Sequence, residues 1–227
     1  IEMGYAKNIE LRYNSNGLEW EDHLFDLWKE FKQVIFHFSI DSYGDKNHFI
    51  RYPSPWRIIK KRMHQLDDYP HGNLRLTTAT TITALSMVYL PEFISWKLQE
   101  NWKLLNKFPA GAGMIDLHLA YWPPQLNVKA LPKWYKAEVK EKFEEFIPWL
   151  EENWRLCNGV DDLDFAEWRE LPYGVKRLEG LVSFMNSEDW SERLPEMAEW
   201  CYTVAEKRNL DFNEIFPDME WLEWYKV

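Results

Sequence analysis

From Asn8 to Asn14 the chain alternates, with Ile9, Leu11 and Tyr13 on one side and Glu10, Arg12 and Asn14 on the other, until Asn16-Gly17 breaks the pattern. A period of two belongs to a half-buried strand and Asn-Gly to a turn, so a first strand ends here in a loop. From Glu19 to Phe31 apolar residues (Trp20, Leu24, Leu27, Trp28, Phe31) recur at helical spacing, which predicts an amphipathic helix. Val34 to Asp41 alternates again, Phe36, Phe38 and Ile40 against His37, Ser39 and Asp41, and reads as a second strand. After a loop ending in Tyr52-Pro53, Ser54 supplies an N-cap and Pro55 a first-turn proline for a helix to about Leu66. A Thr-rich third strand is expected over 74–81, a long helix over 91–107, a break at Gly111 and Gly113, and a fourth strand over 114–122.

Strands alternating with helices imply βαβ crossovers and a parallel sheet. Beyond about Leu131 no strand pattern remains. Leu131-Pro132 opens a helix to about Asn153, and further helices are expected at 162–170, 173–186 and 191–207, with a short turn at 212–216. Asn158-Gly159, Leu171-Pro172 and the stretch 187–189 separate them. The chain therefore divides into an α/β part, 1–130, and an all-helical extension, 131–227.

With 227 residues, 46% of them hydrophobic, there is ample material for a core. A net charge of −10 argues against a nucleic-acid or anionic-membrane surface, and the one basic run, Arg57 to Arg62, reads as the wet side of a helix. No apolar run reaches the roughly 18 residues that span a bilayer, and the first residues are too polar for a signal sequence, so a cytoplasmic protein is expected. The 14 Trp raise the idea of sugar stacking, but their helical spacing beside other apolar residues points to core packing. Cys157 and Cys201 form no metal or redox motif; a disulfide between them is open on sequence, and a reducing cytosol favours two buried thiols. The chain opens on Ile1, with strand pattern almost at once, so a start in mid-domain is expected.

One face of the predicted sheet bears on function. A barrel that is only a scaffold fills its interior with branched apolar side chains. Here the face opposite the helix-packing residues carries Glu10, Arg12, Asn14 and Asn16, then His37, Ser39 and Asp41, then Asp116 and His118. Each polar group left unpaired in a dry interior costs roughly 1–3 kcal/mol. A wet cavity holding a polar ligand near the carboxy ends of the strands accounts for them; an open, solvent-facing sheet without a ligand is the alternative. His37 and His118 fit either lumenal substrate contacts or structural hydrogen bonders, and no metal-binding set emerges.

The strand ends Tyr13-Asn14-Ser15-Asn16-Gly17, Phe38-Ser39-Ile40-Asp41-Ser42 and Phe49-Ile50-Arg51-Tyr52 stand in one order, with Arg51 twelve positions after Ser39. Together they resemble the radical S-adenosylmethionine superfamily, which shows T-N-G or N-T-N-G after its third barrel strand, S-I-D-G or S-L-D-G after its fourth, and an Arg further on. Residues 89–96 and 212–218 resemble its branch with twitch or SPASM carboxy-terminal domains. The resemblance implies the carboxy-terminal part of a partial (β/α)6 TIM-like barrel, about four parallel strands with crossover helices, followed by the helical extension. It implies an enzyme in which a 4Fe–4S cluster, held by a C-x3-C-x2-C loop upstream of this chain, reduces S-adenosylmethionine to a 5′-deoxyadenosyl radical that takes hydrogen from a peptide or nucleotide-like substrate. A reductant such as flavodoxin or ferredoxin would be the partner.

Residue by residue, Ser39 and Asp41 match the ribose-contacting strand end, Arg51 the residue that reaches the cofactor's carboxylate, and Asn16 the turn near the same pocket. His37 and His118 would face the substrate. The match is incomplete: there is no cysteine triplet and no G-G-E-P segment, Ser42 replaces a usual Gly, Ser86 stands where Asn is common, and the two Cys lack auxiliary-cluster spacing. Other classes compatible with the residues are an inactive barrel remnant that binds a nucleoside-like ligand and a helical partner adaptor.

Overall fold

The computed structural model describes residues 1–105, 116–153 and 171–226, with residues 116 and 171–173 described by their backbone alone. The expected Gly111 and Gly113 break, the start of the fourth strand, the helix at 162–170, the Asn158-Gly159 break and Cys157 lie outside the described residues.

The fold is mixed α/β. Strands β1 (Glu10–Ser15), β2 (Gln33–Ser39), β3 (Leu74–Ile82) and β4 (Asp116–Leu119) form one parallel sheet in chain order. The inner face is made by the alternation: Val34, Phe36, Phe38 and Ile40 from β2 and its continuation are at most 3% exposed, as are Leu74, Leu76 and Ile82 of β3. Helix α1 (His23–Trp28) crosses from β1 to β2, and α2 (Gly44–Ile50) and α3 (Trp56–Asp67) from β2 to β3. Ile59, Met63 and Leu66, one stripe of α3, are fully buried, each worth about 1.5–3 kcal/mol of apolar burial. Trp28 closes this layer, its ring against Tyr13, Phe25, Phe36 and Tyr69, so this tryptophan is core material as its spacing predicts.

Three local expectations are corrected. Ser54 is not an N-cap: α3 is preceded by Pro55, which has no side chain to cap with, and the Ser54 hydroxyl turns back to donate to the Asn47 carbonyl at 3.1 Å. The segment 44–50, read as loop, is a short helix. The long helix expected over 91–107 stops early: α4 (Ala84–Met87) precedes α5 (Leu90–Gln99), and Glu100 is extended. Asp67 explains the stop, because its buried carboxylate accepts the backbone N–H groups of Lys103, Leu104 and Leu105 at 2.6–2.8 Å and draws them away from a continuing helix.

The remaining α-helices among the described residues are α6 (Lys133–Asn153), α7 (Leu171–Asn186), α8 (Leu194–Lys207) and α9 (Phe212–Ile215). α7 takes in the expected Leu171-Pro172 break, with the proline in its first turn, where a missing N–H costs nothing. Polar ties fasten this part to the sheet part. Arg208 Nη1 donates to the Phe49 carbonyl at 2.5 Å, Asp218 N–H donates to the Tyr89 hydroxyl at 3.1 Å, and Lys142 pairs with Glu92 at 2.5 Å. Lys136, buried, donates to the carbonyls of Lys129 and Glu188 at 2.8 Å each. Cys201 is a buried thiol, and burial pushes its pKa up. No described helix is long and apolar enough to cross a membrane.

Candidate functional site at the strand ends

The second face of the sheet is built in rows, because parallel strands bring residues of the same orientation side by side. Asn14, His37 and Thr77 form one row, Ser39, Ala79 and Asp116 the next, and Thr81 with His118 the last. Burial is uneven across it. Glu10, Arg12 and Asn14 are exposed and His37 and Ser39 half-buried, whereas Ile35 and Thr77 are almost wholly covered. The wet face expected from alternation is therefore confined to the β1 margin and the carboxy-terminal rows.

At the end of β2 the ladder changes character. Ile40 N–H still donates to the Ala79 carbonyl at 3.1 Å. In a regular parallel ladder the Ile40 carbonyl would then take the Thr81 N–H. Instead it accepts from Thr80 Oγ1 at 2.7 Å, and the Thr81 N–H donates to Asp41 Oδ1, also at 2.7 Å. Asp41 thus replaces a backbone acceptor with a carboxylate, and its side chain is 6% exposed. A buried carboxylate requires a counter-charge. Arg51 supplies it: Nη2 donates to Asp41 Oδ1 at 2.9 Å, while Nε lies 2.8 Å from Oδ2 without being aligned to it, so one directed bond holds the pair.

Arg51 returns to the strand end because α2 is only two turns long. Its N–H donates to the Asn47 carbonyl at 2.9 Å, ending the helix and sending the side chain back. Asn47, 1% exposed, is the hub: Oδ1 accepts the Asp41 N–H at 3.0 Å and Nδ2 donates to Ser54 Oγ at 3.2 Å. Ser54 N–H in turn donates to His48 Nδ1 at 3.1 Å. Asn47 and Thr81 belong to this site without standing out in the sequence, and Ser54 stands out there only as a capping signal.

Ser39 sits one row inside Asp41. Asn16 lies exposed in the turn after β1, where its Oδ1 accepts the Leu18 N–H at 3.1 Å, an Asx turn. Gly17 beside it has φ 70° and would set a Cβ 2.8 Å from the Phe38 ring, so both conformation and space demand glycine there. His37 and His118 are not brought together: their rows are four residues apart along β3, about 13 Å at the usual rise of a strand. His118 is exposed and His37 half-buried.

The structure thus joins Asp41 and Arg51, sets Ser39 beside them, leaves Asn16 in the β1 turn, and separates the two histidines, His37 one row inside Ser39 and His118 beside Thr81. Among the described residues no group of three or more His, Cys, Asp or Glu is arranged to hold a metal ion. Open clefts elsewhere carry less chemistry: one of about 710 Å³ lies along α8 beside Tyr202, Asp211 and Lys226, and one of about 600 Å³ lies between α6 and α7. Neither includes these strand-end residues. The chain matches no protein-family model and no curated protein.

Proposed function

We propose that the chain supplies the ribose and carboxylate side of an S-adenosylmethionine pocket within the partial (β/α)6 barrel of a cytoplasmic radical S-adenosylmethionine enzyme. The observation that carries this reading is the Arg51 guanidinium, anchored by one edge to Asp41 at the carboxy-terminal end of a parallel sheet, where α/β folds bind ligands. A planar fork of N–H donors suits a carboxylate, as in the amino-acid end of the cofactor. Ser39, in the adjacent row, offers a hydroxyl toward the ribose, and Asn16 would border the pocket from the β1 turn.

S-adenosylmethionine, when bound, is the source of the 5′-deoxyadenosyl radical. Within this chain the task is binding and orientation. A 4Fe–4S cluster does not fit residues 1–227, which hold two cysteines, one of them the buried Cys201, against the three thiolates required; its ligands and the site for a flavodoxin- or ferredoxin-like reductant would lie elsewhere. The cysteine count also favours a second reading, a module that binds a nucleoside-like ligand without radical chemistry.

Calorimetric titration of the chain with S-adenosylmethionine tests the pocket common to both. Arg51→Lys, which keeps the charge and loses the fork, should weaken binding by about 1.5–3 kcal/mol, and Ser39→Ala by about 1 kcal/mol. Unchanged affinity in Arg51→Lys removes the support for the site.

A further inference from the structure

The Asp41 carboxylate is already committed. Oδ1 accepts from both Arg51 Nη2 and the Thr81 backbone, Oδ2 faces Arg51 Nε, and the side chain is 6% exposed. Its backbone N–H is taken by Asn47. Little of Asp41 is left for a ligand hydroxyl. The Arg51 side chain is 28% exposed, and no described residue accepts from its Nη1, which carries two N–H groups.

We infer that Asp41 is a positioning residue: it fixes the guanidinium of Arg51 against β3 so that the Nη1 edge meets the carboxylate of an amino-acid-bearing nucleoside, and it does not touch the ribose itself. The inference rests on the pocket proposed above and reassigns one residue within it. Three features support it. The acid is anchored to a strand through a backbone N–H, the anchoring N–H is displaced from its regular ladder partner, and Asn47 holds the acid's own backbone in place. A carboxylate that only neutralised Arg51 would not require that scaffold; one that sets the direction of a fork does, since bidentate recognition fails when the guanidinium rotates.

Two probes separate the roles. S-adenosylmethionine carries the carboxylate, and 5′-methylthioadenosine carries the same nucleoside without the amino-acid end. In Asp41→Asn, which keeps the shape and removes the charge, the affinity for S-adenosylmethionine should fall roughly ten- to hundredfold, the scale of a lost charge-assisted hydrogen bond, while that for 5′-methylthioadenosine stays within about twofold. Should that variant fail to fold by circular dichroism, Asp41→Glu, which keeps the charge and moves it by a methylene, should give the same selective loss. An equal loss for both probes, or no loss for either, overturns the positioning role and leaves the pocket standing. If the unaltered chain binds neither probe, the pocket itself is overturned, and the positioning role falls with it.

Discussion

The backbone N–H of Thr81 donates to Asp41 Oδ1 at 2.7 Å, one rung beyond the point where β2 leaves the sheet. The strand end is thereby closed by a side chain, and the same side chain holds Arg51. The proposed pocket and the fold share one buried network here, so its members should report on stability as well as on binding.

Asn47 is the member whose loss is cleanest to read. Truncation to alanine leaves the buried Asp41 N–H without its acceptor, while Ser54 keeps its own bond to the Asn47 carbonyl. An orphaned buried donor costs about 1–3 kcal/mol. Asn47→Ala should lower the stability from urea unfolding by that amount with an unchanged denaturant slope. A change below about 0.5 kcal/mol, the level of an ordinary surface substitution, would mean that the Asp41 N–H is not left unpaired by the truncation.

How much of this was legible in the sequence follows from what each signal measures. Alternation placed β2 and β3 within a residue or two and put Ser39 and Asp41 on one face, because a period of two depends only on local pleating. It could not show that Ile35 and Thr77 on that same face are covered, since covering comes from segments distant in the chain. Helix α2 leaves no periodic signal because Gly-Asp-Lys-Asn-His-Phe-Ile is too short for an apolar stripe and turns a polar residue, Asn47, inward. Ser54 before Pro55 carries a capping signal, yet Asn47 competes for the hydroxyl and wins. The Asp41–Arg51 pair depends on a ten-residue return of the chain, which spacing permits without requiring.

Tyr135 offers a test in the opposite direction. The residue is 2% exposed, with its ring packed on Trp221 at 4.8 Å, and its hydroxyl has no partner among the described residues. The nearby Trp221 indole N–H is directed to the Asp218 carbonyl at 3.1 Å and does not serve it. Tyr135→Phe should therefore raise stability near neutral pH by about 1 kcal/mol. Burial, with the charges of Tyr89 and Asp218, holds the Tyr135 pKa above its ordinary 10.0, and burial raises that of Tyr202 to about 12. Above pH 10.0 the unfolded chain releases these protons and the folded chain keeps them, so stability is full below that pH and falls as pH rises beyond it. Tyr135→Phe should make the alkaline fall shallower. A loss of stability at neutral pH would show that the hydroxyl is bonded after all.

The two edges of the sheet differ, and the difference predicts association. On β4 the Leu117 carbonyl is occupied, since Arg177 Nη2 donates to it at 2.5 Å, which blunts that edge. Among the described residues β1 pairs only with β2, and no side chain caps its outer side in the same way. Ile9 is 43% exposed just before the strand, and Leu11 and Tyr13 are half-buried along it. The Glu10–Arg12 ion pair at 2.7 Å is exposed and worth at most about 1 kcal/mol, too little to keep a second strand away. An uncovered strand edge with apolar residues behind it is a template for pairing with another copy. Sedimentation velocity of the chain at tens of micromolar should show dimers or larger species. Ile9→Lys, which sets a charge at the entrance to that edge, should shift the population toward monomer without lowering the melting temperature, because the position is exposed and contributes little to the core. A stable monomer in the unaltered chain at that concentration would mean that β1 is covered by another part of the molecule.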